Sequence, residues 1–274
     1  MPSALPDLAP LLRTIRFGRA VRWHAVTDST NAEALRWAAA GAPEGALVGA
    51  DHQRAGRGRH GRQWTDAPGQ GLLVSLVLRP TLVPDQLGLI PLAAGVAVAE
   101  VLEQTLSLAP RLKWPNDVLL GERKVGGLLL EGHLTPPPGQ DKTHATGATF
   151  VLGLGLNVNQ TDFPAEIADQ ATSLALEVGR PLPRLPLLAD LLAALETYYD
   201  RLLDGGGEAV CAAFEARMLG RGCEAAIAFA PDAPAALHGQ LLGVHASGAL
   251  RLGMPDGERL LHAGEVTLDV GREK

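Results

Sequence analysis

Arginine and glycine alternate in one short segment of the chain, residues 56–64 (GRGRHGRQW). Arg57, Arg59 and Arg62 carry planar guanidinium groups, which match the geometry of carboxylates and phosphates. Gly58 and its neighbouring glycines let the backbone approach a ligand closely. Three cations this close repel one another unless an anion lies among them. The segment lacks the GxxxxGK[ST] pattern of a P-loop. It predicts an anion-binding loop, with a solvated basic loop or an RGG-like RNA contact as alternatives.

A second segment, residues 113–127 (KWPNDVLLGERKVGG), contains two of the four lysines in a chain that otherwise uses arginine. Lys113 and Lys124 fall on a predicted strand and its hairpin return, and Asn116 and Asp117 place an amide and a carboxylate between them. The glycines at 126 and 127 remove side chains just beyond Lys124, so we expect another group to press against that backbone. The alternative is an ordinary hairpin with an exposed Lys124.

Two further segments carry polar groups without a charge. Residues 28–31 (DSTN) precede a helical run, so Ser29, Thr30 and Asn31 serve either as helix caps or as readers of a polar, uncharged ligand. Residues 153–159 (GLGLNVN) place two glycines and two asparagines, including Asn157, on a buried strand. This pattern is not GxGxxG, which argues against a Rossmann site. The eight histidines form no metal motif and no GxSxG is present, so metal and serine hydrolases are disfavoured.

The elements that must position these segments alternate between helices and hairpins, which predicts an α+β fold around a mixed sheet. Thr30 and Glu33 resemble a capping box at the start of the first helix. The sequence pattern changes after Gly220, where short predicted strands follow one another at regular spacing, as in a small barrel or sandwich. We therefore predict a first domain over residues 1–221, which carries these segments, and a β domain over 222–274. The main predicted elements are strands at 21–26, 46–53, 71–80 and 149–159, helices at 85–106 and 186–219, and a proline-rich loop at 135–148.

Composition sets limits on function. The chain has 274 residues, 46% hydrophobic and 20% charged, which excludes a disordered protein. Its net charge of −6 does not suggest a nucleic-acid partner, so any anion site is local. Cys211 and Cys223 lack zinc-like spacing and are expected to be reduced. Asp7 and several prolines interrupt the N-terminal segment, and no apolar run reaches the roughly 20 residues of a membrane span. We expect a soluble, cytoplasmic protein with no membrane partner.

Taken in order, DSTN, QRAGRGRHGRQW, KWPNDVLL with RKVGG, and GLGLNVN resemble the biotin protein ligases, or biotin–[acetyl-CoA-carboxylase] ligases. The resemblance covers roughly residues 20–160 through these motifs. It implies a catalytic domain of the class II aminoacyl-tRNA synthetase and biotin ligase type, followed by an SH3-like β-barrel domain. It also implies a two-step reaction, in which biotin and ATP give biotinyl-5′-AMP and pyrophosphate, and a lysine of an acceptor protein then takes the biotinyl group. The first step brings two anions together, which at about 4 Å repel by roughly 4 kcal/mol.

The resemblance assigns roles to individual residues. Lys124, Arg59 and Asp117 are expected to be catalytic, with Asp117 either contacting a metal or orienting the incoming lysine. The residues expected to bind biotin are Ser29, Thr30, Asn31, Gln53, Arg57, Gly58, Arg59 and Lys124. The residues expected to bind the nucleotide are Arg59, Arg62, Trp64, Lys113, Asn116 and Asn157. ATP and biotin are substrates, Mg²⁺ accompanies ATP, and no protein metal site is expected.

The partner implied by the resemblance is a biotin carboxyl carrier protein with an acceptor lysine, and a homodimer is compatible with the family. Some members carry a DNA-binding domain before the catalytic domain. Only 27 residues precede Asp28, so we expect no repressor function. Three alternatives remain: a lipoate-type acyl ligase, a nucleic-acid-binding regulator that uses the arginine loop, and a non-catalytic binding module.

Overall fold

The computed structural model describes residues 7–133, 148–230 and 233–268. The proline-rich loop predicted at 135–148 lies outside these ranges except for its last residue. The described residues form fourteen strands: β1 (Val21–His24), β2 (Leu47–Ala50), β3 (Gly56–Arg57), β4 (Gln63–Trp64), β5 (Gly71–Leu78), β6 (Pro110–Lys113), β7 (Asp117–Leu120), β8 (Arg123–His133), β9 (Thr149–Asn157), β10 (Glu224–Ala228), β11 (Leu237–Val244), β12 (Leu250–Met254), β13 (Gly257–Leu261) and β14 (Glu265–Leu268). They also form five α-helices: α1 (Thr30–Ala39), α2 (Leu89–Leu106), α3 (Leu174–Val178), α4 (Arg184–Leu203) and α5 (Gly207–Glu215).

A seven-stranded sheet in the order β1-β2-β5-β9-β8-β7-β6 forms the centre of the molecule. Strands β1 and β2 are parallel, and every other neighbouring pair is antiparallel. The sheet is therefore mixed, as predicted. Successive side chains of a strand point to opposite faces, and β5 shows the result. Leu72 and Leu76 belong to the main core on one face, whereas Val77 belongs to a smaller cluster on the other.

The two faces of this sheet are covered differently. Helices α2, α4 and α5 pack together on the face that carries Leu72 and Leu76, and α1 packs on the opposite face against β2, β5 and β9. The first three turns of helix α2, residues 89–99, are apolar on all sides, which is typical of a buried helix. The segment Pro84–Leu106 is long and apolar enough to cross a membrane, but 67% of its apolar 18-residue window is buried inside the protein. Its burial is that of a core helix. On the opposite face, α1 leaves part of the sheet uncovered. The four segments predicted from the sequence to bind ligands come together there.

Several predicted boundaries were wrong. The N-cap of α1 is Ser29, which accepts a bond from the Ala32 amide. The capping box predicted from Thr30 and Glu33 is therefore wrong, because the third helical residue is Ala32, which has no side-chain acceptor. The helix predicted at 85–106 begins with a short 3-10 turn and becomes α-helical only at Leu89. The single helix predicted at 186–219 is two helices, because Gly205 has a φ of 83° between them. A left-handed glycine at this position ends α4.

The C-terminal strands form a separate five-stranded antiparallel sheet in the order β13-β12-β11-β10-β14. This small β unit agrees with the predicted SH3-like fold. It contacts the part of the chain that forms the central sheet through the Trp114 indole, whose Nε1 donates to the Gly248 carbonyl at 3.0 Å. Strand β10 begins at Glu224, and the domain division at residue 221 stays a prediction. Both cysteines are free, as predicted, with Cys211 buried and Cys223 exposed.

Candidate active site

A cavity of about 420 Å³ lies on the α1 face of the central sheet. Every residue expected to bind a ligand or to act in catalysis lines this one cavity, although the segments are far apart in the sequence. The lining residues include Ser29, Thr30, Asn31, Gln53, Arg57, Gly58, Arg59, Arg62, Trp64, Lys113, Asn116, Asp117, Lys124 and Asn157. The two groups of predicted residues, neutral and cationic, occupy different parts of its wall.

The neutral part is a buried hydrogen-bond network at the start of α1. The Thr30 amide donates to Gln53 Oε1 at 2.7 Å, and the Thr30 hydroxyl oxygen lies 3.0 Å from the same atom. Ser75 Oγ on β5 lies 2.6 Å from Asn31 Oδ1 and 2.8 Å from Thr30 Oγ1. A serine has one hydroxyl proton and the Asn31 oxygen can only accept, so that proton points to Asn31. The network holds its polar groups in fixed orientations without any charge.

A carboxylate lies beside this network. Glu131 Oε2 accepts from Asn31 Nδ2 at 2.8 Å, and Glu131 Oε1 lies 3.3 Å from Arg57 Nη1. The Leu129 carbonyl is a second, longer acceptor for Asn31 Nδ2, at 3.4 Å. A Cβ at Gly153 would overlap Asn31, so only glycine lets this side chain lie flat on β9. The close packing predicted for residues 153–159 is present here.

The Trp64 indole covers the middle of the cavity floor. A Cβ at Gly155 would lie 2.6 Å from the indole, and one at Gly127 would lie 3.2 Å from it. The two glycines are opposite each other on β8 and β9. Lys124 Nζ lies 5.6 Å from the centre of the ring, within the range of a cation–π interaction. The group predicted to press against the backbone after Lys124 is therefore Trp64.

The arginine loop is a short hairpin of β3 and β4 with a tight turn between them. His60 and Gly61 at that turn have φ values of 54° and 76°, a region that glycine adopts readily and histidine rarely. Arg62 forms an ion pair with Glu265 at the start of β14. Arg57 forms one with Glu131. Carboxylates of the protein thus already partner two of the three loop arginines, which the sequence-based prediction of an added anion did not anticipate.

Arg59 is the exception among the loop arginines. Its Nη1 donates only to neutral oxygens, Asn116 Oδ1 at 3.4 Å and the Gly264 carbonyl at 3.3 Å. In the described part of the chain it forms no ion pair. Loss of water contact lowers the pKa of the Arg59 guanidinium, and the nearby Arg62 lowers it further, while Asp117 opposes both. A partly buried cation without a carboxylate partner favours an anionic ligand.

The two lysines differ in the same way. Lys124 Nζ forms an ion pair with Asp117 Oδ1 at 2.6 Å, and its backbone is held by the Gln170 carbonyl and the Thr172 amide. Lys113 has no carboxylate within ion-pair distance among the residues described. Burial lowers the pKa of the Lys113 amine, and Lys124 and Arg62 lower it further against the opposing effect of Asp117. Lys113 and Arg59 are thus the two cations of the cavity that lack a carboxylate partner.

The side chains of Asn116 and Asn157 form more hydrogen bonds within the protein than the sequence suggests. Asn157 Nδ2 donates to the Thr172 carbonyl at 3.0 Å, and its Oδ1 accepts from Gln160 Nε2 at 3.0 Å. Asn157 is 5% exposed, so it joins β9 to the following segment and leaves one amide proton for a ligand. Asn116 Nδ2 donates to the Leu128 carbonyl at 2.8 Å, and its oxygen faces Arg59.

Sequence reasoning missed four contributors to this site. Ser75 stands in a strand of leucine and valine, where a single polar residue was the available signal. Glu131 lies two residues beyond Leu129 on the cavity face of β8. Gly264 and Glu265 belong to the C-terminal β unit, and nothing in the sequence connects them to the arginine loop. The contacts of Gly264 and Glu265 with the arginine loop form only in the folded chain.

The described residues hold no group of three or more histidine, cysteine, aspartate or glutamate side chains that could bind a metal ion. Asp117 is the carboxylate whose charge acts on both Arg59 and Lys113, and Lys124 already forms an ion pair with it. These donors fit a magnesium ion that arrives bound to a nucleotide, with at most one carboxylate from the protein.

Comparisons with known sequences agree with the site. A profile of the biotin/lipoate A/B protein ligase family matches residues 23–144. The chain is 32% identical to a bifunctional ligase/repressor BirA of Bacillus subtilis, over 94% of this chain and 76% of that protein. It is 37% identical to a biotin–[acetyl-CoA-carboxylase] ligase of Paracoccus denitrificans, over 88% of this chain and 97% of that one.

A solved structure has the same fold. A biotin protein ligase from Aquifex aeolicus in complex with biotin and ATP superposes with a TM-score of 0.75 at 28% identity, covering 91% of this chain and 98% of that one. The similarity therefore extends over the central sheet and the C-terminal β unit together.

Proposed function

The chain belongs to the biotin/lipoate A/B protein ligase family, and from this premise we propose that it is a biotin–[acetyl-CoA-carboxylase] ligase. It activates biotin with ATP and transfers the biotinyl group to a lysine of a carboxylase biotin carrier. The observation that carries the proposal is the division of one cavity wall into a neutral, pre-bonded network and a set of five cations, two of which have no carboxylate partner.

The neutral network suits the uncharged ureido ring of biotin. Ser29, Thr30, Asn31 and Gln53 offer hydroxyl, amide and carbonyl groups that other protein groups already orient. A site built from such fixed hydrogen-bonding groups discriminates strongly against ligands that leave them unpaired. The ring is therefore proposed to lie at the start of α1, with the acid tail pointing toward Arg57 and Gly58.

In the first step, a biotin carboxylate oxygen forms a bond to the α-phosphorus of ATP. The bond from that phosphorus to the bridging oxygen breaks, and pyrophosphate leaves. Arg59 and Lys124 are proposed to stabilise the charge that develops between the two reactants, while Arg62 and Lys113 hold the phosphates. Cations that the protein already holds in place stabilise this charge efficiently, because they do not have to move or reorient during the reaction. Mg²⁺ bound to ATP neutralises phosphate charge.

In the second step, the amine of the acceptor lysine forms a bond to the biotinyl carbonyl carbon. The bond from that carbon to the AMP oxygen breaks, AMP leaves with the electron pair of that bond, and the nitrogen releases its proton to solvent. Asp117 is proposed to orient the incoming amine, since it lies between the two lysines of the cavity and bonds one of them. Trp64 is proposed to pack against the adenine, and Asn116 and Asn157 to border the nucleotide.

The C-terminal unit is proposed to complete the nucleotide end of the cavity. Its Gly264 carbonyl accepts from Arg59, and its Glu265 pairs with Arg62, so two of the three loop arginines are held from outside the catalytic sheet. We keep the division of the chain at residue 221 and a cytoplasmic location as parts of the proposal. A homodimer and the absence of DNA binding also stay predictions.

The test is mass spectrometry of a biotin carrier domain incubated with biotin, MgATP and this protein. The expected result is a mass increase of one biotinyl group, lost when the acceptor lysine is replaced by arginine. Lipoate in place of biotin is the matched control and is expected to give no increase. Transfer of lipoate rather than biotin would favour the lipoate-type alternative, and no transfer of either would reject the proposal.

A further inference from the structure

Glu131 is placed between the two parts of the cavity wall. It lies on β8, and its carboxylate contacts the neutral network through Asn31 and the arginine loop through Arg57. Both partners line the cavity, and Glu131 does not. One side chain just outside the lining therefore holds a group in each part of the cavity wall.

The contact with Asn31 fixes the orientation of its amide. Both protons of Asn31 Nδ2 point away from the cavity centre, toward Glu131 Oε2 and the Leu129 carbonyl, and Oδ1 accepts the Ser75 hydroxyl. A reversed amide would place its oxygen against the Glu131 carboxylate, two acceptors in contact without a proton. In this orientation Asn31 can offer a ligand only the second lone pair of Oδ1. The group it recognises is therefore an N–H donor.

The contact with Arg57 restrains a long side chain that is otherwise exposed. The Arg57 side chain is 51% exposed, and Glu131 is the one carboxylate within ion-pair distance in the described part of the chain. An exposed ion pair contributes little to overall stability. It can still keep the guanidinium above the cavity, so that less side-chain freedom is lost when a ligand carboxylate arrives.

We propose that Glu131 is a positioning residue that aligns Asn31 with the ring N–H of the substrate and Arg57 with its carboxylate. This inference rests on the proposed function, because it takes biotin as the ligand. A carboxylate is required, since it accepts a proton on each oxygen. A glutamine at this position would accept on one oxygen and present a donor to the other partner, so one of the two contacts would be lost.

The test compares E131Q with wild type and with the control E33Q, which alters a glutamate of α1 that pairs with Arg36 away from the cavity. Biotin affinity is measured by calorimetry, and kcat is measured at saturating biotin and MgATP. We expect E131Q to weaken biotin binding about tenfold, with kcat within about twofold of wild type and an unchanged unfolding temperature. E33Q is expected to match wild type in all three.

A double-mutant cycle separates positioning from a general structural effect. In an R57A background, E131Q is expected to weaken binding by only about threefold, because one of its two partners is already gone. Equal losses in the two backgrounds, or an E131Q protein that binds biotin as tightly as wild type, would overturn the inference while leaving the proposed function intact. If wild-type protein does not bind biotin, the proposed function fails and the inference fails with it.

Discussion

The start of α1 and the arginine loop form two walls of the same cavity and differ in how their polar groups are held. Thr30, Asn31 and Ser75 are almost fully buried, neutral and bonded to one another. Arg57 and Arg62 are exposed, charged and paired with carboxylates. The first arrangement contributes to the stability of the fold, and the second contributes almost none. The two walls should therefore respond differently to mutation. Changes in the neutral wall should lower both stability and ligand affinity, whereas changes in the arginine loop should lower catalytic rate or ligand affinity without lowering stability.

The largest expected effect is on the chemical step. Lys124→Ala removes the ammonium beside Asp117 and Trp64, and we expect adenylate formation to slow by about 10²-fold or more. The measurement is a single-turnover rapid quench with biotin and MgATP. Arg123→Ala is the control, because Arg123 pairs with Glu177 outside the cavity. A K124A protein that forms adenylate at a near-normal rate would remove Lys124 from the mechanism.

Loss of Arg59 is expected to weaken the binding of the intermediate, biotinyl-AMP. Arg59 has no carboxylate partner in the free protein, so its loss leaves no charge unpaired there and removes about 1.5–3 kcal/mol of contact with the bound anion. Arg59→Ala should therefore speed the dissociation of biotinyl-AMP by about tenfold to a hundredfold. The dissociation rate is measured by trapping released adenylate.

The controls for Arg59 are two other arginines. Arg57→Ala should have a smaller effect, because the Arg57 side chain is 51% exposed and water screens its contact with the bound anion. Arg54→Ala should have none, because Arg54 pairs with Asp28 at an exposed position. An unchanged dissociation rate in R59A would contradict the assignment.

The neutral wall is tested by Ser75→Ala. The change leaves Asn31 Oδ1 without its buried donor, which costs about 1–3 kcal/mol. We expect a fall of several degrees in unfolding temperature together with a several-fold weaker affinity for biotin. Alanine changes at Arg57 and Arg62 should leave the unfolding temperature within about a degree of wild type. If loop variants destabilise the protein as much as S75A does, the contrast between the two walls does not hold.

A pH series on Lys113 gives the smallest expected effect. Burial lowers its pKa from the usual 10.5, so between the lowered value and 10.5 the unfolded chain binds more protons than the native protein. Stability therefore rises with pH across that window. Nucleotide affinity has the opposite sign, because phosphate favours the charged ammonium, and it should fall as pH rises through the lowered pKa of Lys113.

The matched variant is Lys113→Met. It should raise the unfolding temperature at neutral pH by about 2 °C and make nucleotide affinity less dependent on pH in the alkaline range. The two measurements are thermal unfolding and nucleotide titration over the same pH series. An identical pH profile in K113M and wild type would mean that Lys113 does not hold the phosphates.

The sequence was sufficient to predict the mixed sheet, the following β unit and the residues that line the cavity. These predictions were possible because each motif combines a residue type with a backbone requirement, as in the glycines at 127 and 155 under Trp64. The predicted roles of these residues remain proposals. The helix boundaries were less accurate, since Ser29 and Thr30 are both good caps and only the folded backbone chooses between them.

The partners of the charged groups could not be predicted. Asn31 and Glu131 are 100 residues apart in the sequence, and Arg59 and Gly264 are 205 apart. Contacts of this kind depend on strand order and on the docking of the C-terminal unit, which no local pattern encodes. For the same reason the sequence alone could not show which cations lack a carboxylate partner. Only the structure identifies Arg59 and Lys113 as those two cations.

The central claim is that this cavity joins biotin to ATP before any acceptor is present. Its most direct test is isotope exchange between labelled pyrophosphate and ATP, measured with no acceptor protein in the solution. We predict exchange that requires biotin, that lipoate does not support, and that K124A loses. Exchange that proceeds equally without biotin, or no exchange with it, would contradict the claim.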